Sequence, residues 1–190
     1  MTEAIAKQPM ERPFPLSRFY LFWSIALVGM LFDLGTKSYI FSWLGPPYTR
    51  PPVRLIKNVL ELLTSHNPGA LWGFMRGVPY SSLIFAVLSI IAAIGIFYWL
   101  FFLGAARDRR LTIALGLIMA GALGNCYDRL VFGYVRDFVH FKIEPIGFDC
   151  AIFNFADNML VIGAVSLVLL ALRPDPADPE PAASESSVSV

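Results

Sequence analysis

The sequence predicts an all-α integral membrane protein of four transmembrane helices, with a small extracytoplasmic β-like cradle between helices 1 and 2. Three observations carry that prediction. Hydrophobic residues make up 56% of the 190-residue chain and charged residues only 15%, whereas a soluble domain carries about 25% charge to cover its surface. The apolar residues, at a mean hydropathy of +0.61, fall in four stretches near the length of about 20 residues that a bilayer crossing requires. The polar residues within and beside those stretches gather toward one end of each. A net charge of +1 gives no electrostatic footprint for nucleic acid, and two cysteines build no disulfide framework.

Residues 1–18 form a polar arm containing prolines, expected on the cytoplasmic side. Residues 19–43 form the first span, with Asp33 and Lys37 inside it. It follows basic residues as a secretory leader would. Asp33-Leu34-Gly35-Thr36-Lys37 stands where a small-x-small cleavage site would be needed, so an uncleaved helix is expected. The connection over 44–79 is too long to be bare. Residues 53–62 are partly alternating and β-branched, and Asn67-Pro68-Gly69 is a turn signal, which predicts a small β element on the membrane surface.

The second span, 81–103, lies in the uncharged stretch 77–106. The third, 111–128, carries Gly116, Ala120 and Gly124 at i, i+4 and i+8, a small-residue stripe suited to close helix packing. The fourth covers 152–172, completing a membrane domain over 19–172, and 173–190 is a Pro-, Ser- and Ala-containing stretch expected to be a disordered cytoplasmic tail. Phe19, Tyr20, Trp43, Tyr80 and Trp99 flank the spans as interface anchors.

Even spans place both termini on one side. Lys7, Arg12, Arg18, Arg107, Arg109, Arg110 and Arg173 flank that side, and an equal number, Arg50, Arg54, Lys57, Arg76, Arg129, Arg136 and Lys142, flank the other. The density of arginine in the short linker 104–110 makes it the cytoplasmic side, so both termini are expected inside.

On that topology Asp33, Lys37, Asn67, Asn125, Asp128, Arg129, Asp137, Asn154 and Asp157 all fall at the outer face, and ionisable groups at spans point to a functional site. Taken singly, several have structural readings. Asp33 and Lys37 are an i, i+4 pair with the acid first, the favourable order for a helical ion pair. Asp128-Arg129 reads as interfacial residues or a packing pair, Asn67-Pro68-Gly69 as a turn, and His66 and His140 as interfacial, with no metal-ligand spacing to Cys126 or Cys150. Asp137 and Asp157 resist such readings. Arg136, the only cation next to Asp137, would not face it in an extended segment. Two facing carboxylates can share a proton and activate a water, although spacing alone does not establish that these two meet.

These residues resemble a known family, the bacterial lipoprotein signal peptidases (type II signal peptidases). The resemblance rests on Asp33-x-x-x-Lys37, Asn67-x-Gly69-Ala70, Gly121-Ala122-Leu123-Gly124-Asn125-x-x-Asp128-Arg129, Val135-x-Asp137-Phe138 and Phe153-Asn154-x-Ala156-Asp157, in the family's order over about residues 19–172. It implies a four-helix inner-membrane aspartic endopeptidase with its active site at the extracytoplasmic face. Such an enzyme cuts diacylglyceryl-modified prolipoproteins on the amino side of the lipidated cysteine. Asp137 and Asp157 would be the catalytic pair, with Asp33, Lys37, Asn67, Gly69, Asn125, Asp128, Arg129 and Asn154 binding substrate or supporting the site. The enzyme would act as a monomer among membrane lipids, with no cofactor and no metal. Leu71-Trp72, Ala120 and the C-terminal tail depart from the family's pattern. The competing reading is a small transporter or proton pathway using intramembrane carboxylates, which would place them near the bilayer midplane.

Overall fold

A computed structural model describes residues 14–69, 75 and 77–173. Ala70, Leu71-Trp72, most of the N-terminal arm and the tail beyond 173 lie outside the described residues. Among the described residues, three helices are long and apolar enough to cross a membrane, α1 (Leu16–Leu44), α2 (Ser81–Phe101) and α3 (Arg109–Phe132), and α4 (Phe155–Ala171) is a shorter apolar helix. Four strands form one antiparallel sheet in the order β1-β2-β3-β4: β1 (Val53–Ile56), β2 (Leu60–Asn67), β3 (Val135–Ile143) and β4 (Phe148–Asp149).

The sheet is where expectation and structure differ. The 44–79 connection supplies β1 and β2, but β3 and β4 come from the connection between α3 and α4, so the sheet is shared by two loops. The segment 135–143 is hydrophobic and charged by turns, and its inward face is read only against a neighbouring strand. The pairing has a direct consequence for function: Ser65 lies opposite Asp137, and Asn67 opposite Val135. The fourth helix also begins later than the expected 152, because Asn154 accepts the Asp157 amide and Asp157 accepts the Asn154 amide, a reciprocal cap that fixes the first turn.

The helices pack around α3, which touches all the others. Its small-residue stripe faces α1: a Cβ on Gly116 would meet Ile25, one on Gly29 would meet Ala120, and one on Gly124 would meet the Asp33 carboxylate. Gly121, one position round, faces α4, where a Cβ would run into the Ala156 carbonyl oxygen. Away from the sheet, Phe22, Ala26, Leu100, Phe101, Leu115 and Met119 close the bundle. Toward the sheet, Phe138 packs on Ile40 and Leu44 of α1 and seats β3 on the bundle.

A charged clasp holds the sheet together. His140 Nδ1 meets Glu61 at 2.9 Å and His140 Nε2 meets Asp149 at 2.6 Å, so the ring links β2, β3 and β4. Lys142 adds contacts to Glu61 at 3.3 Å and Glu144 at 3.1 Å. Cys126 and Cys150 are both free thiols.

The glycine contacts predict opposite outcomes at two positions. Gly121→Ala forces α4 away from α3 and should cost about 1–3 kcal/mol, as overpacking does. Gly35 has open space around it, so Gly35→Ala should be neutral or stabilising by about 0.5–1 kcal/mol. Thermal unfolding in detergent compares the two, and equal effects would refute this packing.

Candidate active site

Helical spacing places Asp33 and Lys37 on one face of α1, and Asn125 and Asp128 on the facing side of α3. Lys37 Nζ lies 2.7 Å from Asp33 and 3.4 Å from Asp128, and all three side chains are fully buried. Nζ also donates to Asn125 Oδ1 at 2.9 Å. The backbone N–H of Ala156 donates to Asp33 Oδ1 at 2.8 Å, tying α4 to the same knot. A buried charge without a partner is costly. Here each cation and anion has one, so the knot fixes how α1, α3 and α4 meet.

Three carboxamides extend from this frame toward the two candidate catalytic aspartates. Asn154 Nδ2 donates to Asp137 Oδ1 at 2.6 Å, and Asn67 Nδ2 donates to Asp137 Oδ2 at 3.0 Å. Asn125 Nδ2 donates to Asp157 Oδ1 at 2.8 Å, and the Asn154 backbone N–H donates to Asp157 Oδ2 at 3.1 Å. Each of the four carboxylate oxygens therefore accepts one N–H. The amides cannot turn over, because the oxygen of each faces a group that only donates. Asn125 Oδ1 faces the Lys37 ammonium, Asn154 Oδ1 faces the Asp157 amide, and Asn67 Oδ1 faces the Gly69 amide at 3.1 Å.

Asp137 and Asp157 thus meet through Asn125 and Asn154, and both line one cleft of about 450 Å³. Its walls are Phe85, Leu88 and Ala92 of α2, Ile118 and Ala122 of α3, and Leu160 and Val161 of α4. At the polar end Arg129 donates to the Gly69 carbonyl at 3.1 Å and lies 5.3 Å over the Phe85 ring. Asp137 is 1% exposed. Burial, followed by repulsion from Asp157, pushes its carboxyl up from the ordinary 3.8 to about 7, against the opposing pull of the Asn67 and Asn154 hydrogen bonds and the Lys37 charge.

All ten candidates named from the sequence converge on this region, in two layers. Asp137, Asp157, Asn67, Asn125 and Arg129 line the cleft, and Asn154 reaches its carboxylates from behind. Asp33, Lys37 and Asp128 lie deeper, and Gly69 acts through its backbone. Asp128 and Arg129 are not a pair: Asp128 points into the α1 knot and Arg129 toward α2 and Gly69. Sequence reasoning missed Arg136 as a supporting residue. Successive strand residues face opposite ways, so Arg136 turns from Asp137 and grips Asp128, with Nη2 to Oδ1 at 2.8 Å. The alternation was visible in the sequence, but the partner was not.

Apolar walls ending at one buried and one half-buried carboxylate fit the class of membrane proteases. A family model described as Signal peptidase (SPase) II matches residues 25–173. Among curated relatives, the lipoprotein signal peptidase of Rhodopirellula baltica is 38% identical over 167 residues, 82% of this chain and 73% of that protein. Those of Halothermothrix orenii and Staphylococcus aureus are each 33% identical, over 76% and 78% of this chain and 90% and 86% of theirs. A solved structure described as a bacterial membrane enzyme, obtained by the in meso method at 2.3 Å, superposes with a TM-score of 0.71 at 28% identity, covering 90% of this chain and all of that one. The chain belongs to the signal peptidase II family and is a protease.

The Asp137 environment sets a pH dependence of stability. A folded-state value above the ordinary one means that the fold binds this proton more tightly than the unfolded chain does. The associated stability is complete below the ordinary value of 3.8 and is lost as pH rises through about 7. Asp137→Asn removes that loss. Its thermal midpoint should therefore fall less than the wild type's between about pH 5 and 8, and parallel declines would contradict the assignment.

Proposed function

We propose that this chain is a membrane-embedded aspartic endopeptidase that removes signal peptides from diacylglyceryl-modified prolipoproteins, cutting on the amino side of the lipidated cysteine. The observation that carries the proposal is that Asp137 and Asp157 line one largely apolar cleft, with each carboxylate oxygen met by an N–H donor. The substrate class comes from the relatives, and the cleft suits it. Apolar residues of α2, α3 and α4 would receive an apolar signal segment, and the lipid on the adjoining cysteine could stay in the bilayer.

In the mechanism, the aspartates hold a water between them and share one proton. That proton resides on Asp137, the more deeply buried member, whose carboxyl is raised to about 7. Asp157 acts as the base. It stands in the first turn of α4, where the helix N-terminus favours negative charge. Asp157 takes a proton from the water as the water oxygen attacks the scissile carbonyl, and Asp137 gives its proton to the carbonyl oxygen. A gem-diol results. Its collapse breaks the C–N bond, with a proton passing to the departing amine. Arg129 and Asn67, which line the cleft, would hold an extended substrate backbone, which has no water to bond at that depth.

The proposed setting is the bacterial inner membrane, with α4 as a fourth span, both termini cytoplasmic and the sheet with its site at the extracytoplasmic face. The sheet-end position of the carboxylates favours this over a transporter, whose carboxylates would lie midway along the helices. The enzyme is proposed to work as a monomer.

Asp137→Asn and Asp157→Asn should each reduce cleavage of a lipidated prolipoprotein by at least about 10²–10⁴-fold, the usual contribution of one general acid–base group, at unchanged protein abundance. Wild-type processing by either variant would end the proposal. Wild-type activity should also decline as pH rises through about 7, where Asp137 loses its proton. A rate still rising well above that pH would reverse the assigned roles.

A further inference from the structure

The buried charges beside the site form one continuous chain that begins at Arg136. Its backbone N–H donates to Asp128 Oδ2 at 3.0 Å, and its Nε and Nη2 donate to Asp128 Oδ1 at 3.1 Å and 2.8 Å. Its Nη1 donates to Ser38 Oγ at 3.2 Å, and the Phe132 ring lies 4.5 Å from the guanidinium. Arg136 thereby joins β3 to α3 and α1, and it is only 8% exposed. From Asp128 the chain runs to Lys37 at 3.4 Å, and from Lys37 to Asp33 at 2.7 Å and Asn125 Oδ1 at 2.9 Å. Arg136 and Lys37 balance Asp128 and Asp33, so the cluster is neutral.

We infer that Arg136 is a positioning residue of the proteolytic site: by neutralising Asp128 it leaves the Lys37 ammonium on Asn125 Oδ1, which keeps Asn125 Nδ2 directed at Asp157. The inference rests on the paired-aspartate reading above. Asp33, Asp128 and Asn125 take up the three N–H groups of Lys37, and two of these acceptors are charged. Remove the guanidinium and Asp128 keeps a single backbone donor in a fully buried position. The nearest compensation is Lys37 Nζ, and attraction grows as the separation closes. Movement of Nζ onto Asp128 draws it off Asn125, the neutral acceptor. The remaining donor to Asn125 Oδ1 is then Asn154 Nδ2 at 3.2 Å, which also serves Asp137 at 2.6 Å. Without its charged anchor, the Asn125 carboxamide then holds Nδ2 less firmly on Asp157. The other charged or titratable groups facing the aspartate pair are Lys37 and Arg129, and Cys126 and Asp128 border Arg129.

The test compares kcat and KM across pH for full-length protein in detergent, cleaving a lipidated prolipoprotein. The variants are Arg136→Gln, Arg136→Lys and the double variant Arg136→Gln/Asp128→Asn. One hydrogen bond to a charged group corresponds to about one pH unit, or about tenfold. Arg136→Gln should therefore lower kcat by about tenfold with little change in KM, and should move the acidic limb up by about one pH unit. Arg136→Lys should fall between Arg136→Gln and wild type. The double variant removes both charges, keeps the cluster neutral, and should return the acidic limb toward the wild-type position. A purely structural role predicts the opposite order, with the double variant at least as impaired as the single and the limb unmoved. An unmoved limb in Arg136→Gln, or a double variant worse than the single, overturns the inference. Should Arg136→Gln not accumulate, Arg136→Lys decides in its place: a limb moved up by part of a pH unit supports the inference, and an unmoved limb overturns it. Asp137→Asn and Asp157→Asn belong in the same assay. Activity in those would defeat the paired-aspartate reading itself, whereas an unmoved limb in Arg136→Gln defeats only the role of Arg136.

Discussion

One ammonium group organises this protein. Lys37 Nζ lies within reach of Asp33, Asp128 and Asn125, in a position closed to water. In hydrocarbon an uncompensated charge is costly, so the helices carrying its partners have little freedom to slide or turn relative to α1. Asp33 in turn accepts the Ala156 amide, which seats the first turn of α4. The small residues of α3 make this approach possible, since Gly124 lies against the Asp33 carboxylate and a side chain there would displace it. Close helix packing and buried charge pairing are thus one constraint.

The helices were largely legible in the sequence because their signal is local. Apolar length sets a span, and expected boundaries such as 19–43 and 81–103 lie within a few residues of Leu16–Leu44 and Ser81–Phe101. The start of α4, three residues past 152, is set by a side-chain cap, Asn154, whose role depends on geometry three residues further on. The sheet was half legible. The 53–62 segment is partly alternating and a turn signal follows at Asn67-Pro68-Gly69, whereas 135–143 becomes a strand only by pairing with β2 across more than sixty residues of chain.

The candidate site was legible as a list of residues but not as an arrangement. Asp33 and Lys37 could be paired from spacing alone. That Asn125 sits between Lys37 and Asp157, or that Asn67 meets Asp137, depends on three helices and a sheet coming together. Arg136 shows the limit most clearly. Strand alternation turns it away from Asp137, yet its partner Asp128 sits on a helix that ends several residues earlier and is reached only because the chain reverses at Gly133.

Asn154 serves two purposes at once. Its oxygen caps α4 and its nitrogen holds Asp137, so the first helical turn and the proposed acid stand or fall together. Fraying of that turn, the commonest local opening a helix undergoes, would release Asp137 from one of its donors and Asp157 from its backbone N–H in the same event. A molecule whose last helix is not seated would therefore be inert as a hydrolase. During insertion into a membrane crowded with apolar segments, that coupling would delay proteolytic competence until assembly is complete.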